Sequence, residues 1–174
     1  MVRDRTPATA TQAKALASPI RLRILRLCLN DEMTNKQLAE RLECDPSTLH
    51  YHAKILLDAG FLERAEPRHG SSGALEKPFR STGLSWTLDI GTGNVDATLA
   101  MLDAFRAELA EAGGASVESW SRFTYHLDAA ALDDMARRIQ AILDEYVASD
   151  GERRRAGHPQ YGGIFALHRI DHAD

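Results

Sequence analysis

A short run of polar residues in the first half of the chain combines helical spacing with side chains that donate and accept hydrogen bonds. The residues are Ser47, Thr48, His50, Tyr51 and Lys54. Because most of them recur at intervals of three and four, they share one face of a helix, with Thr48 near its start. Hydroxyl and imidazole groups can bond base edges, tyrosine can bond a phosphate or pack on a thymine methyl group, and lysine supplies positive charge. The pattern predicts a helix that contacts the major groove of DNA.

The opposite face of this helix is apolar. Leu49, Leu56 and Leu57 fall on it, together with either His52 or Ala53. A recognition helix must bury one side against its own domain and turn the other toward DNA, and these two faces are separated in that way. We interpret His52, at the edge of the apolar face, as a hydrogen-bonded core residue rather than a base-contacting one. The alternative is that the polar residues form the solvated face of an ordinary helix.

Capping signals define the helices around this segment. Thr34 and Gln37 form a capping box that opens a short helix. Asp45, followed by proline, caps the next helix, and Gly60 ends it where a left-handed conformation is needed. Two helices joined by a turn as short as residues 43–45 form a helix-turn-helix, which disfavours the solvated-face alternative.

A basic hairpin is predicted directly after the recognition helix. Residues 61–66 read as a strand, residues 76–82 as its returning partner, and the tip at 67–73 is rich in glycine and serine. Such a hairpin is a wing, whose cations can neutralise phosphates beside or within the minor groove. Arg68, at the tip, is the strongest single candidate. The candidate cations of the wing are Arg64, Arg68, His69, Lys77 and Arg80.

The second half of the chain reads as a dimerisation helix followed by a strand-helix-strand tail. A helix over residues 95–112 carries an apolar stripe that needs a cover, and the same stripe on a second copy is one candidate. Residues 123–127 and 164–170 alternate as strands, on either side of a helix capped by Asp128 and a polar loop at 150–163. The residues of the dimerisation stripe are Leu99, Leu102, Phe105 and Leu109.

Four segments together resemble the ArsR-type winged-helix repressors over roughly residues 10 to 85. They are Leu16–Leu25, Gln37-Leu38-Ala39, Ser47–Lys54 and Asp58–Leu62. The resemblance implies a homodimeric transcriptional repressor that binds a partly palindromic operator and is released by an effector. His50 stands where many members carry serine, so the resemblance does not transfer an operator sequence.

Charge and composition exclude several classes of protein. The net charge is -4, but residues 1–85 carry +3 and residues 86–174 carry -7, so a mildly basic half is joined to an acidic one. We find no signal peptide or membrane span and expect a cytoplasmic protein. The 2 cysteines lack the spacing of a disulfide framework or zinc site, and no nucleophile elbow or phosphate loop indicates catalysis. We predict no enzyme activity and no cofactor.

Three alternatives for partners and ligands stay open. The winged helix could dock a protein instead of DNA, a possibility favoured by the net acidity. Metal sensing would need three or four converging ligands, and His126, His158, His168 and His172 are the candidates in the tail. The aromatic residues concentrated beyond residue 85 could line an apolar pocket for a small-molecule effector, or form the core of the tail and the dimer contact.

The sequence therefore predicts a mainly α protein with a small β component. A winged helix-turn-helix domain over residues 9–85 is expected to bind double-stranded DNA, and residues 95–174 to dimerise and contact an effector. Two further helices should precede the helix-turn-helix. One is opened by Thr9 with Gln12, and the other by Ser18 with Pro19.

Overall fold

The computed structural model describes residues 5–70, 73–90 and 94–170, which fall into two compact units. The first unit is Arg5–Ser116, and the second begins at Val117. The first unit is mainly helical with short strands, as predicted. Its helices are α1 (Ala10–Leu16), α2 (Pro19–Leu27), α3 (Asn35–Arg41), α4 (Pro46–Asp58) and α5 (Val95–Ala112).

The predicted caps open most of these helices. Thr9 and Thr34 each accept a bond from the backbone N–H three residues on, and Gln12 and Gln37 bond back to them in two complete capping boxes. Asp45 caps α4 through the backbone N–H of Ser47. Ser18 differs from the prediction, because it precedes α2 in an extended conformation without a side-chain capping bond. Proline at the first position of α2 reduces the number of N–H groups that need such a bond.

Helices α3 and α4 end in the same backbone motif with different residues. In α4, Gly60 has a φ of 79° and the N–H of Phe61 bonds the carbonyl of Leu56, which is a Schellman motif. In α3 the corresponding bond runs from Cys44 to Ala39, and Glu43 takes the left-handed position with a φ of 51°. The turn between the two helices therefore contains a residue that favours this conformation less than glycine does.

The wing consists of two short antiparallel strand pairs. Strands β2 (Leu62–Arg64) and β5 (Phe79–Ser81) form its base, with Leu62 opposite Ser81. Strands β3 (Arg68–His69) and β4 (Leu75–Glu76) pair nearer the tip, of which residues 71 and 72 lie outside the described ranges. Met33 forms an isolated antiparallel bridge with Phe79, so the wing is joined by its backbone to the segment between α2 and α3.

One core connects the helices and the wing of the first unit. Leucine, isoleucine and phenylalanine side chains from α1 to α4 and from β2 and β5 pack together in it. The first unit also contains a parallel pair of β1 (Thr6–Pro7) with β6 (Leu88–Asp89). The largest fully buried side chains are Leu16, Ile24, Cys28, Leu38, Leu49, Leu56, Phe61 and Pro78.

Helix α5 belongs to the first unit, whereas the predicted domain boundary placed it with the tail. Its buried residues are Ala97, Ala100 and Ala104, and it packs chiefly against α2. A periodicity of large apolar side chains does not reveal these alanines, because alanine also occurs on exposed helix faces. Small side chains permit a close approach between helices, which explains why an alanine face can bury without bulky residues.

The second unit contains one long helix, α6 (Ala129–Arg155), capped by Asp128 as predicted. The two predicted tail strands are wrong for this structure, since residues 123–127 and 164–170 are in irregular conformations. An extended segment becomes a strand only when a neighbouring backbone pairs with it. The loop predicted from Asp150 is wrong in part, because α6 continues to Arg155, where Arg153, Arg154 and Arg155 lie in the last turn and suit the negative end of the helix dipole.

Candidate nucleic-acid interface

The two faces of α4 are separated as the sequence predicted. Leu49, Ala53 and Leu56 have no exposed surface and attach the helix to the core. The five polar candidates, which we call the reading face, are all exposed. The reading face consists of Ser47, Thr48, His50, Tyr51 and Lys54.

The first residue of the reading face is engaged by the helix cap. Asp45 Oδ1 accepts bonds from both the backbone N–H and the hydroxyl of Ser47, at 2.7 and 2.5 Å. These bonds lower the pKa of the Asp45 carboxyl, chiefly through the Ser47 hydroxyl. The proton of that hydroxyl points toward Asp45, which leaves its oxygen lone pairs available to accept a bond from a base amino group.

Two polar contacts fix the orientation of α4. Asn35 Nδ2, at the start of α3, donates to the carbonyl of Pro46 at 2.9 Å. Arg21 of α2 donates to the carbonyls of Lys14 and Ala15 at the end of α1, and its Nη1 lies 3.5 Å from His52 Nδ1. Arg21 thus connects two helices to the recognition helix, a role that apolar periodicity in the sequence did not reveal.

His52 lies at the edge of α4 rather than in the core. Its side chain is partly exposed, and its ring makes an edge-on contact with Tyr51 at a centroid distance of 5.3 Å. Partial burial, reinforced by the charge of Arg21, lowers the pKa of His52. The prediction that His52 contacts the domain rather than bases agrees with this position, whereas full burial is wrong because the ring reaches the boundary with solvent.

The cations of the wing occupy different electrostatic surroundings. Arg80 forms an ion pair with Glu63 at 2.7 Å across β2 and β5, and hydrogen bonding to that carboxylate raises the pKa of Arg80. The Arg64 guanidinium lies over the ring of Phe79, 5.5 Å from its centroid. Lys77 and His69 are exposed on the same hairpin.

Arg68, the strongest wing candidate from the sequence, is surrounded by acceptors. Its Nη2 donates to the backbone carbonyl of Glu32 at 3.0 Å, and its guanidinium lies within 3.5 Å of Glu76 and 3.9 Å of the Glu32 carboxylate. The Glu32 carboxylate also lies 3.9 Å from Arg80. These acidic groups offset part of the positive charge of Arg68 and Arg80, so their phosphate attraction is weaker than the sequence alone suggests.

The dimerisation stripe lies on the side of α5 opposite its buried alanines. Leu99 and Leu102 are 53% and 40% exposed, and Phe105 and Leu109 are partly exposed. Burying apolar side chains at such positions would require a further surface. We call these residues the outer stripe of α5.

Ion pairs connect α5 to the helix-turn-helix. Glu111 lies 2.5 Å from Arg23 of α2 and 2.6 Å from Arg41 of α3. Glu108 lies 3.4 Å from Arg26 of α2. Because α3 is the first helix of the helix-turn-helix, these contacts join the outer-stripe helix to the element that positions the recognition helix.

In the part of the chain that the structure describes, the thiol and imidazole groups do not gather into a metal centre. Among residues 5–70, 73–90 and 94–170 there is no cluster of three or more histidine, cysteine, aspartate or glutamate side chains suited to a metal ion. His172, one candidate ligand, lies outside the described residues. Cys28 is buried, and burial, with Asp31 nearby, raises its pKa to about 12. Its thiol is therefore kept in the protonated, unreactive form.

The aromatic residues of the second half do not form an enclosed pocket core. Trp120, Tyr125, Tyr146 and Tyr161 are all more than half exposed. Phe123 stacks with Tyr125 at 5.2 Å, and it lies 6.5 Å from Phe165 in a second stacked pair.

Within the part of the chain that the structure describes, no helix is long and apolar enough to cross a bilayer.

Comparison with known families finds a match to the helix-turn-helix. A family model described as a helix-turn-helix domain matches residues 16–65. None of the curated proteins matches the chain.

Several solved structures show a distant likeness. The homodimeric winged helix-turn-helix DNA-binding domain (fragment 1-100) of Mb0332 from Mycobacterium bovis, a possible ArsR-family transcriptional regulator, has 22% identity and a TM-score of 0.38, covering 68% of this chain and 86% of that one. The transcriptional regulator SlyA has 19% identity and a TM-score of 0.33 over 76% and 77%. The adhesin competence repressor AdcR from Streptococcus pyogenes has 16% identity and a TM-score of 0.30 over 79% and 81%.

The matched helix-turn-helix, followed by a wing, defines the chain as a DNA-binding transcriptional regulator. The match spans all four segments that resemble the ArsR-type winged-helix regulators, and it confirms the predicted helix-turn-helix.

Proposed function

We propose that this protein is an ArsR-like repressor that acts as a homodimer on an inverted-repeat operator. The observation that carries the proposal is the reading face of α4, which is exposed while Leu49, Ala53 and Leu56 on its other side are fully buried. In a two-fold dimer, two such helices would enter successive major grooves about 34 Å apart. Repression would follow from occlusion of the operator.

Within each half-site, the candidate contacts divide into two groups. His50 and Tyr51 would reach base edges and thymine methyl groups, with Ser47 as an acceptor and Thr48 near the start of the helix. Lys54 is exposed at the far end of the reading face and suits a phosphate. On the wing, we give Arg64 and Lys77 more weight than Arg68 and Arg80, which share nearby carboxylates.

The outer stripe of α5 is the proposed dimer contact. Its leucines and Phe105 face away from the core, and a two-fold axis would place the same stripe of a second copy against them. The ion pairs of Glu108 and Glu111 with α2 and α3 would transmit a change at this contact to the recognition helix. A small-molecule effector could act by shifting the separation of the two recognition helices.

Selection from a random DNA duplex pool tests this proposal. We expect the purified protein to enrich an inverted repeat, and His50→Ala to blur the base preference at one position in each half-site by about tenfold. A pool that shows no enrichment in the absence of added ligands, and again with a cell extract, would contradict specific DNA binding.

The acidic neighbours of Arg68 and Arg80 favour the rival function, in which the winged helix docks a protein. Salt dependence distinguishes DNA binding from that function. We expect affinity for the selected duplex to fall steeply with salt, and Lys54→Ala to reduce the slope of log K against log salt by about one. Lys14→Ala, an exposed lysine on α1, is the matched control and should leave the slope unchanged. Binding that is insensitive to salt and to Lys54→Ala would favour a protein partner.

A further inference from the structure

Helix α6 is long and lacks buried side chains. It spans 27 residues, which corresponds to about 40 Å, and none of its described residues is buried. Ile142 and Tyr146 are 56% and 62% exposed on one side of it. We call one line of apolar residues along the helix the α6 seam. The α6 seam consists of Leu132, Met135, Ile139, Ile142 and Tyr146.

The spacing within the α6 seam is that of a two-helix coiled coil. Its residues alternate at intervals of three and four, an average of 3.5, which keeps them in one line along the helix. Leu143 and Val147, which are 48% and 39% exposed, widen the apolar face beside this line. Ser149 continues the same spacing at the C-terminal end of the line. A second helix is one surface that suits a line of this spacing.

Charges beside the α6 seam favour a second copy of α6 in the antiparallel direction as its cover. Arg138 and Glu145 each directly precede a seam residue, so they occupy equivalent positions one heptad apart. An antiparallel copy of α6, aligned with Ile139 opposite Ile142, brings Arg138 near Glu145 of that copy along the edge of the seam, and symmetry repeats the pair. A parallel copy would instead place Glu145 beside Asp150, with like charges in contact.

The present surroundings of Arg138 leave it able to make this contact. Its Nη1 lies 3.7 Å from Asp134 on the same helix, and its side chain is 79% exposed. An exposed ion pair of this kind contributes little to stability, so exchanging it for a pair across the helix interface has a small cost.

We propose that α6 pairs antiparallel with α6 of a second copy of this chain, through the α6 seam and reciprocal Arg138–Glu145 ion pairs. The inference rests on the proposed homodimer and adds a second contact to it. The contact is isologous, with the same surface on both copies, so it closes at two chains. It would also bury the apolar residues of the α6 seam by association, whereas the first unit buries its apolar residues in its own core.

Association of the full-length chain tests the two contacts separately. We expect the wild type to be dimeric in sedimentation experiments. Leu102→Glu in α5 and Ile142→Asp in α6 should each raise the dimer dissociation constant by tenfold or more, and the two changes together should give monomers. Circular dichroism should show that both variants keep their helix content.

Two other results would each contradict one of the two proposed dimer contacts and leave the other standing. If Leu102→Glu alone gives monomers and Ile142→Asp has no effect, the α6 contact is absent and the α5 dimer stands. If Ile142→Asp alone gives monomers and Leu102→Glu has no effect, α6 carries the dimer and the proposed α5 contact fails. DNA selection reports on the reading face independently of both.

A charge exchange tests the direction of pairing. Arg138→Glu and Glu145→Arg should each weaken association by about tenfold in the Leu102→Glu background, because each single change brings like charges together. The double exchange should restore most of the affinity. Arg137→Glu, on the outward side of α6, is the control and should have little effect on association. Failure of the double exchange to restore affinity would contradict the antiparallel register.

Disulfide trapping tests the register directly. In a Cys44→Ser background, chains carrying Leu132→Cys are mixed with tagged chains carrying Ser149→Cys. The antiparallel seam places these positions together and predicts a disulfide between the two kinds of chain only. Disulfides between two Leu132→Cys chains would indicate parallel pairing, and the absence of any disulfide would contradict the seam.

Discussion

The two compact units differ in how they use their apolar residues. Helices α1 to α4 and the wing bury apolar side chains in a shared core, whereas α6 has no buried residue and exposes Leu132, Ile142 and Tyr146. The first unit therefore has the means to fold by its own packing. In the second unit, the apolar side chains of α6 stay exposed, which is typical of a surface that is completed by association.

The largest expected effect comes from a substitution that leaves a cavity in the core beneath the reading face. Leu49→Ala should lower the free energy of unfolding by about 3 kcal/mol, because it leaves a cavity where the side chain is fully buried. Leu127→Ala in the second unit, 41% exposed, is the same chemical change and should cost less than about 1 kcal/mol. Urea unfolding followed by circular dichroism measures both. Equal losses would show that the two units are packed alike.

The packing of α5 can be tested by enlarging its small residues. Ala100→Leu should destabilise the protein by about 2 kcal/mol, since the alanine is buried against neighbouring helices and the larger side chain forces them apart. Ala110→Leu, exposed on the same helix, is the control and should be nearly neutral. Thermal unfolding distinguishes them. If both were neutral, α5 would not pack through its alanine face.

The two Schellman motifs offer a smaller comparison. Glu43→Gly should raise the free energy of unfolding by up to about 1 kcal/mol, because glycine adopts the left-handed conformation without the strain of a side chain. Glu40→Gly, inside α3, should lower it by about 1 kcal/mol. A loss of stability in Glu43→Gly would mean that its side chain contributes more than its backbone strain costs.

The smallest expected effect is a pH dependence from His52. Its pKa in the folded protein is lowered from 6.5, so the unfolded chain binds a proton more readily. Its contribution should be fully present above about pH 6.5 and diminish as the pH falls through that value toward the lower folded pKa. His52→Gln should flatten this part of the stability profile in urea titrations. An unchanged profile would show that other groups cause it.

Much of the first unit could be predicted because its signals are local. The capping boxes at Thr9 and Thr34, the glycine that ends α4 and the alternating polar and apolar faces of α4 each depend on residues within a few positions of one another. The burial of Leu49, Ala53 and Leu56 followed from the same periodicity.

Side-chain partners distant in sequence could not be predicted in this way. The acidic neighbours of Arg68, the contact of Arg21 with His52 and the bonds of Glu111 to two helices join positions from 8 to 88 residues apart. No periodic pattern encodes such pairs. The predicted tail strands failed for a related reason, since a strand exists only with a paired neighbour.

The sequence by itself determined the helix-turn-helix, the wing and the division of α4 into an exposed polar face and a buried apolar face, because helical period and capping chemistry act over short distances. Only the tertiary structure decided which wing cations are offset by carboxylates, which face of α5 is buried and that the described residues of α6 are not buried. These features depend on the free energy of contacts between distant segments, which is settled when the chain is packed in three dimensions.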